Sequence, residues 1–209
     1  MSKNNSRDKI LRRLREAPKP SWDFKPEFLT DDWNGFNIPD SLLDSFLLRL
    51  ESVKGKGFVV NNKEAFSEKI IELKAIHGWS NIFNANTELS DCLTKKGIAQ
   101  LNKKPEKGSD WVAITGCESL IAITGSVMVS ARSGPGRKIH ASPATHIVYA
   151  GLSQLQPFIK DGFNYVNSKY KTSWIGLITG PSRTADIEKT LVLGAHGPKE
   201  LIVFIDQSC

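Results

Sequence analysis

The sequence is poor in cysteine and contains no long apolar run. Its 209 residues include only three cysteines: Cys92, Cys117 and Cys209. They are too few and too scattered for a disulfide framework or an iron–sulfur cluster, and they indicate a reducing compartment. The longest apolar stretch, 120–129, is interrupted at 124–126. No segment approaches the roughly 20 residues of a membrane span, and the basic N-terminus lacks the apolar core of a signal peptide. We therefore expect a cytoplasmic protein.

Sequence motifs for nucleotides and metals are missing as well. The Gly-Lys-Ser/Thr of a Walker A loop occurs nowhere, and the Gly-x-Gly stretch at 134–136 lacks the third glycine of a dinucleotide fingerprint. The chain has no Cys-x-x-Cys, and its histidines never pair at i, i+4. Those histidines are His77, His140, His146 and His196. We therefore expect no metal and no cofactor bound by this chain.

Most of the net charge of +6 lies at one end of the sequence. Residues 1–20 hold seven cations and two anions, a net charge of +5, whereas residues 21–209 carry only +1. A nucleic-acid-binding domain carries its basic stripe on the folded module. The distribution therefore argues against nucleic acid as a partner.

The composition divides the chain near residue 50. Residues 1–50 comprise a basic helix that ends before Pro18, a strap rich in proline and aromatic residues at 18–40, and a leading helix over 41–53 capped by Asp40. The basic helix is either a solvated arm or a docking helix for a partner. Residues 51–209 form the second part, an α/β domain.

Apolar strands alternate with helices in this second part. The strands at 58–60, 147–149, 175–178 and 201–205 are apolar almost throughout, which is typical of a parallel sheet covered on both faces. Closely spaced strands over 111–150 predict hairpins. Helices are predicted over 63–76, 88–95, 152–170 and 186–193. The pattern indicates a three-layer α/β/α fold with a mostly parallel mixed sheet.

The segment 178–188 is the strongest candidate for a binding site. A strand ends at Thr179, a Gly-Pro turn follows, and the chain then enters the predicted helix, whose free N–H groups favour an anion. The predicted ligand-binding residues here are Gly180, Pro181, Ser182, Arg183, Thr184 and Ala185. Arg183 would supply the cation, so replacing it by alanine should weaken anion binding. Ordinary helix capping by Ser182 or Thr184 is the alternative.

Two further segments and three catalytic candidates complete the predicted site. The loop 132–138 offers backbone N–H groups and cations to an anion, and a plain surface turn is the alternative. The turn at 124–126 interrupts a buried strand pair, as a ligand approach or a simple bulge would. The residues predicted to bind are Gly134, Gly136, Arg137, Thr124, Gly125 and Ser126. The catalytic residue is unknown, with candidates His196, Glu188 and Asp186.

The blocks at 180–188 and 193–201 resemble the LUD-domain family of the lactate utilisation protein C type. The segments 114–116, 124–126 and 133–137 match its other blocks in order, so the resemblance covers about residues 50–209. It implies a fold similar to that of the sugar-phosphate isomerase, CoA-transferase and formyltetrahydrofolate cyclo-ligase group.

The resemblance also implies a function. It implies a role in oxidising L-lactate to pyruvate beside two partner proteins that carry the iron–sulfur clusters. The family commonly has an acid before the Thr-Gly pair, where this chain has Ile123. A stand-alone enzyme acting on a phosphorylated, CoA-linked or folate substrate is one alternative, and a non-catalytic scaffold subunit is another.

Overall fold

The computed structural model describes residues 6–17, 41–105, 110–133, 136–185, 191–193 and 197–209, with the backbone alone at 184–185 and 191–193. The chain forms two compact units, Met1–Asn37 and Ile38–Cys209. In the first unit, helix α1 spans Ser6–Glu16 and is exposed along its whole length, which confirms the predicted basic helix. The predicted strap at 18–40 lies outside the described residues.

The second unit contains strands and helices in alternation. Its helices are α2 (Leu42–Ser52), α3 (Lys63–His77), α4 (Ser90–Lys95) and α5 (Ile159–Lys169). Its described strands are β1 (Lys56–Val60), β2 (Ile82–Asn84), β3 (Val112–Thr115), β4 (Ser119–Ile121), β5 (Ser126–Ser130), β6 (Thr145–Gly151), β7 (Leu155–Gln156), β8 (Ile175–Ile178), β9 (Arg183–Ala185), β10 (Leu191–Leu193) and β11 (Glu200–Asp206).

Five of these strands form a fully parallel sheet in the order β1-β11-β6-β3-β2. The central strands β6 and β11 are buried on both faces, which explains their continuous apolar sequence. Helices α3 and α4 cover one face through residues such as Phe66, Ile70 and Leu93. Helix α3 begins after Asn62, whose side chain accepts from the Ala65 N–H at 2.8 Å.

A second sheet, in the order β7-β4-β5-β8, covers the other face of the parallel sheet together with α2. Leu120 and Val127 of this sheet share an apolar core with Phe46 of α2 and Val203 of β11. Helix α5 packs on its opposite face, where Val166 contacts Met128. The α/β class and the mostly parallel sheet are thus confirmed, as is the predicted central hairpin, β4–β5.

Three sequence predictions need correction. The strand over 175–178 is β8, which pairs antiparallel with β5 in the second sheet, so its apolar sequence did not indicate a parallel neighbour. The helix predicted over 152–170 begins only at Ile159, since a 3-10 turn, β7 and Pro157 precede it. The helix predicted over 186–193 is wrong at its described end, because Leu191–Leu193 is a strand.

Helix α2 belongs to the second unit. The cap of this helix is Ser41, whose Oγ accepts from the Asp44 N–H at 3.2 Å, rather than the predicted Asp40, which lies outside the described residues. Phe46 and Leu50 are fully buried in the core beneath the parallel sheet. These contacts place the unit boundary before α2, whereas the sequence suggested it near residue 50. Among the residues with described structure, no helix is long and apolar enough to cross a membrane.

Candidate functional site

A cavity of about 510 Å³ lies at the carboxyl ends of the parallel strands. The segments that follow β2, β3, β6 and β11 all contribute to it, together with α5 and the turn after β5. Ligands in parallel α/β sheets bind at this edge. Its lining residues include Asn86, Glu88, Cys117, Glu118, Arg132, Ser133, Tyr149, Gln154, Tyr165, Lys169, Tyr170 and Cys209. Most of these side chains are polar, so the cavity suits a small polar ligand.

Glu118 is the most tightly held carboxylate of this cavity. It is only 7% exposed, and three hydroxyl groups donate to it. The Ser130 and Ser133 hydroxyls donate to Oε1 at 2.6 Å and 2.8 Å, and the Tyr170 hydroxyl donates to Oε2. Burial and the hydrogen bond to Glu118 raise the pKa of Tyr170 to about 12, so its phenol keeps the proton that it donates.

Two cations line the cavity without a carboxylate partner among the described residues. The exposed guanidinium of Arg132 lies 4.6 Å from the centre of the Tyr170 ring. The ammonium of Lys169 lies 3.9 Å from the centre of the Tyr165 ring and donates to the Tyr165 hydroxyl. Stacking on aromatic rings leaves N–H donors of both cations available to a ligand.

Gln154 links two of the segments that line the cavity. Its amide nitrogen donates to the carbonyls of Cys117 at 2.8 Å and Glu118 at 3.2 Å, and its amide oxygen accepts from the Gly151 N–H at 2.8 Å. Burial, and then the negative charge of Glu118, raise the pKa of the Cys117 thiol. Cys117 is therefore a poor nucleophile at neutral pH.

Tyr149 holds a second buried carboxylate just below the cavity. Its hydroxyl donates to Asp206 on the neighbouring strand. Burial acts to raise the pKa of Asp206, but hydrogen bonds from Tyr149 and Ser208 outweigh it and hold that pKa below its usual range. Asp206 is thus an ionised acceptor that fixes the Tyr149 ring.

Two buried histidines, His140 and His146, have ring nitrogens without hydrogen-bond partners among the described residues. His146 donates from Nε2 to the Thr115 hydroxyl at 2.8 Å, since that hydroxyl gives its own proton to the Gly116 carbonyl. Nδ1 of His146 and both ring nitrogens of His140 have no hydrogen-bond partner among the described residues. The two ring centres are 5.4 Å apart. Burial lowers the pKa of His140 to about 4 and that of His146 to about 3, so both are neutral at pH 7.

The structure contradicts the geometry predicted for 178–188. Arg183–Ala185 is a strand that pairs antiparallel with Leu191–Leu193, so no helix N-terminus begins there to bind an anion. Gly180 has a φ of +78°, and a Cβ there would lie 2.2 Å from the Val53 carbonyl oxygen. Pro181 is buried, and the Ser182 N–H donates to the Pro198 carbonyl at 2.8 Å. Residues 180–182 thus make contacts within the fold.

The glycine turns predicted to bind a ligand also make structural contacts. Gly125 has a φ of +62°, and a Cβ there would lie 2.3 Å from the backbone nitrogen of Leu50 in α2. Ser126 shares a hydrogen bond of 2.8 Å with Thr179, and the hydroxyl of Thr124 is buried without a partner among the described residues. These three residues do not line the cavity.

Among its described residues, the loop 132–138 reaches the cavity at its beginning. Arg132 and Ser133 line the cavity, whereas Arg137 lies 5.6 Å from the centre of the Trp174 ring and donates to Ser173 at 3.5 Å. Gly136 has a φ of +87° and precedes a 3-10 turn. The structure therefore does not bring Arg137 and Arg183 together in this cavity. The remaining candidates, Gly134, Asp186, Glu188 and His196, lie outside the described residues.

Ile123 occupies an apolar position. It is half-buried and packs against the cluster beneath α5 that includes Ile121, Met128 and Val166. Glu118 and Glu88 are the acidic side chains that line the cavity among the described residues. No sequence motif indicated Glu118, Tyr170 or Gln154. For Glu118 and Gln154 the one signal in the sequence is their position just after the ends of β3 and β6.

No group of three or more His, Cys, Asp and Glu side chains could hold a metal ion within the described part of the chain. This finding concerns those residues alone, so the expected absence of a metal stays a prediction.

A model of the LUD domain family matches residues 43–205. Lactate utilization protein C of Anoxybacillus flavithermus is 29% identical over 158 residues, which cover 68% of this chain and 70% of that protein. Lactate utilization protein C 1 of Bacillus mycoides is 25% identical over 219 residues, covering 91% and 89%. Lactate utilization protein C of Geobacillus thermodenitrificans is 37% identical over 92 residues, which cover 42% of this chain and 38% of that protein.

A solved structure shows the same fold. The crystal structure of a DUF162 family protein from Deinococcus radiodurans superposes with a TM-score of 0.54 and covers 79% of this chain and 96% of that chain. Its sequence identity is 18%, so the likeness concerns the fold alone.

Proposed function

Because this chain belongs to the LUD domain family, and because relatives across its length are lactate utilization proteins, we propose that it serves in lactate utilisation by binding a small anionic or phosphate-bearing ligand in the cavity at the carboxyl ends of β2, β3, β6 and β11. One observation carries the binding proposal. Arg132 and Lys169 line this cavity without a carboxylate partner among the described residues.

The acidic side chains that line the cavity form no ion pair with these cations among the described residues. Three hydroxyl groups already occupy the oxygens of Glu118, and Glu88 pairs with Lys63 at 3.2 Å. An arginine presents a planar pair of N–H donors that matches a carboxylate or phosphate, whereas a lysine adds a point charge. An anion of the size of lactate, pyruvate or inorganic phosphate is small beside the volume of this cavity.

The redox chemistry of lactate needs a second component. Oxidation of L-lactate to pyruvate releases two electrons and two protons, and an acceptor must take them. We expect no iron–sulfur cluster on this chain, because its three scattered cysteines do not form a cluster motif. We therefore assign the acceptor to partner proteins that carry iron–sulfur clusters, and we assign ligand binding to this chain.

Co-expression tests the assignment to lactate utilisation. The chain is produced with candidate iron–sulfur partners, and oxidation of L-lactate is measured with an artificial electron acceptor in the presence and absence of the chain. We expect oxidation only when the chain is present, because its binding site would complete the assembly. Full activity of the partners without this chain would reject the assignment.

Two arginine variants test the location of the anion site. We expect Arg132→Ala to weaken binding of pyruvate or inorganic phosphate at least about tenfold, because a charge-assisted contact contributes about 1.5–3 kcal/mol. Arg183→Ala is the matched control, since Arg183 is exposed and does not line the cavity. Titration calorimetry gives both affinities, and alkylation of Cys209 in the cavity gives an independent reading of protection by the ligand.

Equal losses in the two variants would argue against the cavity as the site. A loss in Arg183→Ala alone would return the site to the segment 178–188. Both variants remove an exposed arginine, so unfolding curves should show the same stability for each.

A further inference from the structure

We propose that Glu118 is a positioning residue whose carboxylate fixes both the turn that carries Arg132 and the ring on which Arg132 stacks. In this role Glu118 sets the direction in which the guanidinium meets an anion. The inference deepens the proposed anion binding and rests on it, but the order of the turn can be measured without any ligand.

The turn after β5 is closed by two serine hydroxyls. The Ser130 N–H donates to Ser133 Oγ at 2.8 Å, and the Arg132 N–H donates to Ser130 Oγ at 2.9 Å. Each hydroxyl thus accepts from the backbone of the turn and has one proton left to donate. Both protons go to the same oxygen, Oε1 of Glu118. A single carboxylate oxygen therefore satisfies both hydroxyls of the turn.

The other carboxylate oxygen fixes the stacking partner of Arg132. Tyr170 donates its hydroxyl proton to Oε2, and the Arg132 guanidinium lies over the Tyr170 ring. Tyr170 directly follows α5 and lies 52 residues after Glu118 in the sequence. The backbone of Arg132 and the platform beneath its side chain are thus both held by Glu118.

The backbone of Glu118 is itself well anchored. Its N–H donates to the Met128 carbonyl at 2.8 Å across the β4–β5 hairpin, and its carbonyl accepts from Gln154 at 3.2 Å. Its side chain is almost fully buried. A buried carboxylate with all its donors in place holds those donors in one geometry.

The direction in which anion affinity changes distinguishes a positioning role of Glu118 from simple charge repulsion. A carboxylate beside an anion site repels the anion, so removal of its charge alone would strengthen anion binding. Loss of an anchor acts in the opposite direction, because Arg132 would then have to be ordered when the ligand binds. The proposal therefore predicts weaker anion binding after Glu118 is truncated, despite the loss of a repelling charge.

The experiment compares Glu118→Ala with Glu88→Ala, which removes the other carboxylate lining the cavity. We expect Glu118→Ala to weaken binding of inorganic phosphate or pyruvate about fivefold or more, and Glu88→Ala to leave it equal or tighter. Hydrogen exchange without ligand should show the Ser130 and Arg132 amides exchanging about tenfold faster or more in Glu118→Ala alone. Glu118→Asp, which keeps the acceptor, should restore part of both effects.

Each result bears on a separate claim. Unchanged exchange of the two amides in folded Glu118→Ala would overturn the positioning role, as would tighter anion binding. If the wild-type chain binds neither anion while the amides lose protection, the proposed function fails and the anchoring of the turn stands. Glu118→Gln provides a folded variant if the alanine variant does not fold, and ultraviolet titration should then show a lowered pKa for one of the three tyrosines.

Discussion

Replacing Gly125 by alanine is expected to lower the free energy of unfolding by about 3–4 kcal/mol, which is large for a single added methyl group. The turn between β4 and β5 lies directly on the backbone of α2, and a Cβ at Gly125 would approach the Leu50 nitrogen to 2.3 Å. Backbone atoms cannot move aside as a side-chain tip can. The positive φ of +62° adds the strain that any L-residue suffers in that region.

Gly78 provides the matched control for this prediction. It ends α3 with a φ of +66°, and a Cβ there would meet nothing within 4 Å. We expect Gly78→Ala to cost only about 1 kcal/mol, the conformational part of the effect. Urea unfolding of both variants separates the two contributions. Equal losses would mean that the β4–β5 turn does not pack tightly against α2.

Acidification from pH 7.5 to pH 5 is expected to lower the free energy of unfolding by roughly 4 kcal/mol through His140 and His146. Burial lowers the pKa of His140 to about 4 and that of His146 to about 3, while an unfolded histidine titrates near 6.5. Stability is therefore complete above pH 6.5. It falls as the pH drops, because the unfolded chain takes up protons that the folded chain refuses, by up to about 1.4 kcal/mol per pH unit for each histidine.

Urea unfolding at several pH values measures the slope of the free energy of unfolding against pH. His140→Gln should remove about half of it, since one of the two neutral rings no longer titrates. His77→Gln is the control, because His77 is an exposed residue of α3 that stacks on Trp79. The carboxylates of Asp206 and Glu200 have pKa values below their usual range, so their effects begin at lower pH. A flat stability profile between pH 7.5 and pH 5 would contradict the prediction.

The sequence predicted the parallel sheet because its central strands have no polar face. Strands β6 and β11 are buried on both faces, and a strand buried in this way needs apolar residues at successive positions. The same reasoning failed for β8, where Leu177 is 39% exposed and the neighbour is antiparallel. A run of four apolar residues does not distinguish a buried strand from one at the edge of a second sheet.

The site was predictable only in its general position. The rule that ligands bind beyond the carboxyl ends of parallel strands was applied to β8, which lies in the other sheet and pairs antiparallel with β5. Once the strand order is known, the rule selects the segments after β3 and β6, and these contain Glu118 and Gln154. Tyr170 joins them through the packing of α5, which no local pattern in the sequence records.

The two sheets are joined by very short connections at the cavity. Residues 116–118 are all that separate β3 from β4, and residues 152–154 are all that separate β6 from β7. A chain of three residues spans at most about 11 Å, so the sheets cannot slide far past one another. In mechanical terms the cavity has a stiff side, formed by these two links, and any opening for a ligand must come from the side of α5 and the Arg132 turn.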